Sequence, residues 1–266
     1  MDILQKWFPF NYNDIRESKQ PKQFLKSQEE QTTVFCFPSA GSSASLYRPW
    51  YQATKQNPAV NFVPVEIPGR GNHITAPNAK SIDELIERFL AVFLEVPHNS
   101  YILYGHSFGA VVAFQLAYTI QQKGLPLPEK LIVAGRHAPH MKDPSPLNSV
   151  SSDEEMIAEI KAMGGTPDVV LNHPEMLKFM LTQLRADLRT HESFKYTGQK
   201  LQIPIEAHCG TQDDANKTVV EYWKDVAESE FLLKEFQGHH FFIQSLGESY
   251  LNTLLNSINT AKKSFF

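Results

Sequence analysis

A serine flanked by two glycines is the residue of this chain with the clearest chemical potential. Residues 105–109 read Gly-His-Ser-Phe-Gly, and they lie between the apolar run 101–104 and a helix-like stretch, 110–117. Strand, sharp turn and helix is the setting that a G-x-S-x-G nucleophile elbow requires, with the serine at the apex of a strained turn. The glycines leave room for such a turn because they carry no Cβ. Ser107 is therefore the predicted nucleophile, and an ordinary serine in a Gly-rich connection is the alternative.

A serine hydroxyl becomes strongly nucleophilic only when a neighbouring base takes its proton, and a carboxylate must hold a histidine base in the correct tautomer. Elbow-type enzymes carry these groups in the chain order serine, aspartate or glutamate, histidine. After Ser107 the candidates are Asp213 and His240, each of which follows a strand-like apolar run. Chain order alone leaves the neighbouring Asp214 and His239 as alternatives. This set predicts acyl transfer to the serine and hydrolysis of the acyl-enzyme.

Negative charge that develops on a substrate carbonyl oxygen must be met by two backbone N–H groups, which form an oxyanion hole. One donor is expected to be Phe108, the residue after the nucleophile. The other is expected in the loop 38–43, whose small residues let the backbone approach a substrate closely. Ala40 is the predicted donor and Ser39 the alternative. The loop lacks the lysine of a P-loop, which disfavours a phosphate site.

Short apolar runs alternate with helical patterns along most of the chain. The runs lie at residues 33–37, 62–67, 101–104, 131–134 and 203–209. One helical pattern, within 82–93, repeats its apolar residues three or four positions apart and so has one apolar face. This alternation predicts an α/β fold with a mostly parallel central sheet flanked by helices. Pro64 is an objection to the second strand, because proline is confined to sheet edges, strand starts or bulges.

One segment, residues 144–198, breaks the alternation. It shows two helical patterns and no convincing strand; the first opens with a Ser152/Glu155 capping-box spacing, and the second has Pro174 near its start. An all-helical insertion between late strands predicts a lid over the carboxyl ends of the strands, where α/β sheets bind ligands. The predicted organisation is an N-terminal surface arm (1–30), a core (31–143 and 199–266) and the lid (144–198).

Composition excludes several function classes. The chain has 266 residues and a formal net charge of −4, and it has no basic stripe of the kind nucleic-acid binders carry. Cys36 and Cys209 lie in apolar runs, which indicates buried thiols rather than a disulfide or a metal site. No His, Asp or Glu cluster has metal-ligand spacing, and we expect no cofactor. No basic leader or membrane-length apolar stretch is present, so we expect a soluble cytoplasmic protein.

Several short motifs occur in one order over nearly all of the chain after Thr33. They are Phe35-Cys36-Phe37-Pro38 with Ala40-Gly41, Tyr47-Arg48-Pro49-Trp50, Pro68-Gly69-Arg70, Gly105-His106-Ser107, Gly135-Arg136 with Ala138-Pro139, Gly164-Gly165-Thr166-Pro167, Arg185-Ala186-Asp187, Gly210 with Asp213, Trp223, and Gly238 with His240-Phe241. In these motifs the chain resembles the type II thioesterases of nonribosomal peptide and polyketide synthetases. It also resembles the related medium-chain thioesterase of fatty-acid synthesis.

The resemblance implies an α/β-hydrolase fold with a flexible helical lid. It also implies hydrolysis of acyl groups from the phosphopantetheine arm of carrier proteins, usually to remove misprimed or stalled acyl units from an assembly line. The aligned motifs place the acid on Asp213 and the base on His240. The chain departs from the usual pattern at three places. A glycine is common where this chain has Ser42-Ser43, and a leucine or methionine is common where it has Phe108. A glycine is common where it has His239.

Other functions remain as alternatives at this stage. A small-molecule carboxylesterase or a fatty-acyl-carrier-protein thioesterase would use the same machinery, and the fold is sometimes reused as a non-catalytic binding module. The expected partner is an acidic carrier protein, which would favour a locally basic docking face. The candidate basic residues, all near the second lid helix, are Lys178, Arg185, Arg189 and Lys195. No membrane or nucleic-acid partner is expected, and the resemblance favours a monomer.

Overall fold

A six-stranded parallel sheet forms the centre of the computed structural model, which describes residues 2–18, 31–55, 59–96, 100–143 and 145–261. The strands are β1 (Thr32–Phe37), β2 (Val60–Pro64), β3 (Ser100–His106), β4 (Lys130–Ala134), β5 (Ile205–Gly210) and β6 (Phe231–Phe236). Their order across the sheet is β2-β1-β3-β4-β5-β6, and every neighbouring pair is parallel. The predicted α/β architecture is confirmed.

Helices connect the strands and cover both faces of the sheet. They are α1 (Ile3–Trp7), α2 (Tyr12–Ser18), α3 (Arg48–Thr54), α4 (Ile82–Phe93), α5 (Phe108–Gln122), α6 (Asp153–Met163), α7 (Asp168–Leu171), α8 (Pro174–Glu192), α9 (Lys217–Val220), α10 (Phe242–Ser245) and α11 (Glu248–Ala261). Short 3-10 turns span Ala44–Tyr47, Gly71–His73 and Glu221–Val226.

Strand β1 shows why the strands are almost wholly apolar. Successive side chains of a strand point to opposite faces of the sheet. Phe35 accordingly joins a core cluster that contains residues of α4 and α5, and Cys36 joins a second cluster that contains Tyr250 of α11. Helices on both faces leave no face of β1 to solvent, and all six of its residues are buried.

The proline in the second apolar run is explained by the topology. Strand β2 lies at one edge of the sheet and ends at Pro64. A residue without a backbone N–H is tolerated there because an edge strand has one unpaired side.

The N-terminal residues differ from the expected surface arm. Leu4, Trp7 and Phe8 are buried in the main core, and the Trp7 ring meets Phe89 of α4 edge-on at 5.4 Å between centroids. The Lys- and Gln-rich composition of the first thirty residues concealed this apolar start. Residues 19–30 of the predicted arm lie outside the described residues.

The segment between β4 and β5 is helical, as the sequence indicates. Helix α6 begins with the predicted capping box, in which the Ser152 hydroxyl accepts from the Glu155 N–H and the Glu155 carboxylate accepts from the Ser152 N–H. Pro174 is the first residue of α8. The described residues of 144–198 contain no strand, but they include the short α7, which the sequence pattern did not indicate.

Cys36 and Cys209 are buried free thiols. None of the helices in the described part of the chain is both long enough and apolar enough to cross a membrane.

Candidate active site

Ser107 sits in a strained turn between β3 and α5. Its φ of 55° and ψ of −116° make it the one non-glycine residue with positive φ among the residues described. A side chain in this conformation costs about 1 to 3 kcal/mol and persists only where the surroundings impose it. Two glycines make the turn possible, since an ideal Cβ on Gly105 would lie 2.1 Å from the Gly109 carbonyl oxygen, and one on Gly109 would lie 2.1 Å from the Phe37 carbonyl oxygen.

Replacing Gly105 by alanine should therefore destabilise the protein strongly. The new methyl would collide with backbone atoms of the elbow, which cannot swing aside, and we expect a loss of about 3 kcal/mol or more in the free energy of unfolding. Gly124→Ala is the control, because a Cβ there meets nothing within 4 Å and the change carries only the strain of a positive φ (+62°). That change should cost about 1 kcal/mol. Equal urea midpoints for the two variants would contradict the account.

The structure brings His240 and Asp213 together. The His240 Nδ1 atom lies 3.1 Å from Asp213 Oδ2 and 3.2 Å from Oδ1, so the ring N–H donates to the carboxylate. Burial alone would raise the pKa of the Asp213 carboxyl, but the hydrogen bond and charge of His240 and the Ala215 N–H hold it below its ordinary value. The rival residues, Asp214 and His239, are both exposed.

His106, the residue before the nucleophile, contacts the candidate base directly. Its ring is fully buried, and its Nε2–H donates to the His240 backbone carbonyl at 2.9 Å. The two rings lie 5.0 Å apart between centroids. Burial and the neighbouring His240 lower the pKa of His106 to about 3, so it stays neutral. The elbow therefore holds the backbone of the His240 loop, a link between residues 134 positions apart that no local sequence signal reveals.

The predicted oxyanion donors line the same cavity as the nucleophile. Phe108 is the first residue of α5, and its N–H is among those that α-helical hydrogen bonding leaves free. Ala40 belongs to a tight turn in which the Ser42 N–H donates to the Ser39 carbonyl at 3.1 Å and the two serine hydroxyls lie 2.9 Å apart.

One cavity contains every residue predicted for the site. Ser107, Phe108, Ala40, Asp213 and His240 all line it. The wall contributed by α6 and α8 is mainly apolar: Ile160, Met163, Met180, Leu184 and Leu188 line it, together with Glu159 and His191. Apolar side chains of these two helices thus face partly into the cavity.

A polar cluster lines one part of the cavity. The Arg136 Nη2 group lies 2.8 Å from Asp143 Oδ2 and 2.7 Å from His191 Nε2. The guanidinium can only donate, so the histidine nitrogen accepts and the ring is neutral. Burial and the Arg136 charge lower the pKa of His191 and of His137 to about 4.

The buried histidines predict a loss of stability in mild acid. His106, His137 and His191 stay neutral in the folded protein well below their ordinary pKa of 6.5, so unfolding takes up protons below that pH and the free energy of unfolding falls as pH falls. Glu66 acts in the opposite sense, because burial raises its pKa to about 7. Together these four groups take up a net of about two protons at pH 5.5, which corresponds to about 2.5 kcal/mol per pH unit. Urea titrations between pH 7 and pH 5 measure this slope, and constant or rising stability would contradict it.

Comparison with known proteins gives a consistent assignment. The model of the thioesterase domain family matches residues 32–260. The gramicidin S biosynthesis protein GrsT of Aneurinibacillus migulanus is 31% identical over 215 residues, which cover 79% of this chain and 82% of that protein. The structure of the type II thioesterase BorB from the borrelidin biosynthetic cluster superposes with a TM-score of 0.75 at 31% identity, covering 85% of this chain and 92% of BorB.

A second solved structure, YbtT, a type II thioesterase from the yersiniabactin NRPS/PKS biosynthetic pathway, gives a TM-score of 0.73 at 30% identity and covers 87% of this chain and 94% of YbtT. The matched segment begins at β1 and ends within α11, so it takes in the whole sheet and all of the cavity. The α/β-hydrolase fold that the sequence predicted is shared with these neighbours, and the chain belongs to the thioesterase domain family.

Proposed function

We propose that this chain is a type II, editing thioesterase that hydrolyses acyl groups from the phosphopantetheine arm of carrier proteins in a nonribosomal peptide or polyketide assembly line. The observation that carries the proposal is the cavity, which combines a strained serine and a His–Asp pair with an apolar wall suited to an acyl chain. We infer the carrier-bound nature of the substrate from the relatives that are named as thioesterases of such pathways.

The proposed reaction has two halves. In the first, His240 takes the proton of the Ser107 hydroxyl as the Ser107 Oγ attacks the thioester carbonyl. Asp213 meanwhile holds the His240 ring and stabilises the charged form of that ring. The N–H groups of Ala40 and Phe108 stabilise the oxyanion, and His240 then protonates the leaving pantetheine thiol. In the second half, His240 activates a water that hydrolyses the acyl-enzyme and regenerates the serine.

Residues 144–198 are proposed to act as the lid of this cavity. Met156, Leu181 and Leu184 form their own small apolar cluster, which partly buried neighbours including Ala40 extend toward the oxyanion loop. Because this cluster is separate from the main core, α6 and the first part of α8 can shift without opening that core. Movement of α6 and α8 would then admit the pantetheine arm.

One of the four basic residues considered for carrier docking, Arg185, is engaged in other contacts. The Arg185 guanidinium donates to the carbonyls of Ser149 and Ser151 and to the Asp153 carboxylate, so it ties α8 to the start of α6. The remaining candidates, Lys178, Arg189 and Lys195, are exposed.

Charge reversal at Lys178 and Arg189 together should raise the KM for an acyl-carrier protein about tenfold or more, because the carrier is acidic. The KM for an acyl-pantetheine, which has no protein surface, should be unchanged. Reversal of an exposed charge in α4, Glu87→Lys, is the control and should affect neither substrate. Equal effects on both substrates would contradict a docking role.

The proposed function is tested by comparing carrier-bound and simple substrates. Hexanoyl-phosphopantetheinyl carrier protein is incubated with the enzyme and its deacylation is followed by intact mass, beside a hexanoyl p-nitrophenyl ester. A kcat/KM that favours the carrier supports the editing thioesterase. Turnover of the ester with an untouched carrier would identify a small-molecule esterase, and turnover of neither would point to a binding module.

A further inference from the structure

A buried ion pair connects the inserted helix α8 to the loop that carries Ala40. The Asp187 carboxylate, 3% exposed, accepts from Arg70 Nη1 at 2.7 Å through Oδ2 and from Nη2 at 2.5 Å through Oδ1. The same Oδ2 atom accepts from the Gly41 backbone N–H at 2.8 Å. Arg70 Nη1 also donates to the Ser42 carbonyl at 2.7 Å. The pair therefore holds one N–H and one C=O of adjacent loop residues.

These contacts fix the peptide that follows the proposed oxyanion donor. The Ala40–Gly41 peptide is planar, so the direction of the Gly41 N–H sets the ψ angle of Ala40. The Ser39 carbonyl, which shares a peptide with the Ala40 N–H, accepts from the Ser42 N–H at 3.1 Å. Gly41 has a φ of +73°, and a Cβ there would lie 3.3 Å from Leu184 Cβ, so α8 packs directly against this turn. Displacement of a catalytic group by about 1 Å can cost 100-fold in rate.

We infer that Asp187, on α8 of the inserted segment, is a positioning residue that orients the Ala40–Gly41 turn as an oxyanion donor, with Arg70 as its partner. This inference rests on the proposed function in taking Ala40 as a donor. The role of Asp187 makes catalysis depend on the position of α8, because the oxyanion hole is complete only while α8 is docked on the loop. A lid segment thus contributes to the reaction as well as to the cavity wall.

The alternative is that the pair only stabilises the fold, and the experiment separates the two. Removing one partner alone would leave a buried charge without its counterion, so the main variant is the double change Asp187→Leu with Arg70→Met. Asp187→Asn is the conservative variant, since its amide oxygen can still accept from Gly41. Thr190→Val is the matched control: Thr190 lies one turn further along α8 and anchors it to the core by donating to the Ala79 carbonyl at 2.8 Å, without touching the loop.

For each variant that retains a cooperative thermal transition, kcat and KM are measured with hexanoyl-pantetheine and with p-nitrophenyl hexanoate. We expect the double variant to lose about 100- to 1,000-fold in kcat on both substrates, as loss of an oxyanion donor does, with KM changed by less than about threefold. Inhibition by an alkyl trifluoromethyl ketone, which forms a tetrahedral adduct on the serine, should weaken by a similar factor. Asp187→Asn should lose an intermediate factor of about tenfold in kcat, because its amide oxygen can still accept from Gly41 but one contact to Arg70 is lost. Thr190→Val should remain within about twofold of the wild type.

A folded double variant with wild-type kcat, a loss confined to KM, or an equal loss in Thr190→Val would overturn the inference. If the double variant is unfolded, Asp187→Asn decides alone: a weakened adduct with unchanged KM supports the inference, and unchanged kcat and inhibition contradict it. The ester arm is independent of carrier proteins. A protein that ignores carriers but loses ester turnover through Asp187 would refute the proposed editing function and leave the positioning role intact.

Discussion

Replacing Ser107 by alanine is expected to lower kcat by about 10⁴-fold or more, because the acyl-enzyme can no longer form. The variant should remain folded. The Ser107 side chain makes no capping hydrogen bond to α5, and alanine bears the same positive-φ strain as serine. The urea midpoint should therefore change little while turnover of thioester and ester substrates disappears.

Ser145→Ala is the matched control for that experiment. Ser145 lines the same cavity, and its hydroxyl accepts from the nearby Leu147 N–H at 3.2 Å. Its removal should leave kcat within about threefold of the wild type, as is usual for a residue with no part in the transition state. Substantial residual turnover by Ser107→Ala would mean that another group is the nucleophile.

The second large effect is expected when Asp213, the carboxylate that holds His240, is replaced. Asp213→Asn keeps the size of the side chain, but an amide can donate to His240 Nδ1 and so favour the tautomer that cannot accept the serine proton at Nε2. Loss of the correct tautomer costs about 10⁴-fold in kcat in enzymes of this type. The pH–rate profile should also lose the limb that reports deprotonation of the histidine base.

Asp214→Asn provides the control for the acid, since Asp214 is the adjacent, exposed carboxylate. Its activity should match that of the wild type. The same comparison applies to the base, where His240→Ala should be inactive and His239→Ala active. Activity in Asp213→Asn together with inactivity in Asp214→Asn would reverse the assignment.

Much of this site could be predicted because its signals are local. The elbow is five consecutive residues with a strand before and a helix after, and the strand is visible as an apolar run. Asp213 and His240 could be located because each follows a strand, and parallel strands bring their carboxyl ends to one edge of the sheet. The choice between each residue and its neighbour depended on a family resemblance or on geometry.

What could not be predicted depends on contacts between distant positions. The Arg70–Asp187 pair joins residues 117 positions apart, and nothing in either neighbourhood indicates that the two side chains meet. The buried N-terminal helix α1 was missed for a different reason. Its five residues include Lys6 and are too few to show a periodic apolar face, and burial of Trp7 is decided by the space that α4 leaves beside the sheet.

The central claim is that Ser107 receives an acyl group from a carrier protein. The most direct measurement mixes hexanoyl-phosphopantetheinyl carrier with excess enzyme, quenches with acid at millisecond intervals and maps the acylated peptide by mass spectrometry. We expect the carrier to lose its hexanoyl group as the peptide containing Ser107 gains it, and Ser107→Ala to show neither change. Deacylation of the carrier by Ser107→Ala, or acylation of a different residue, would contradict it.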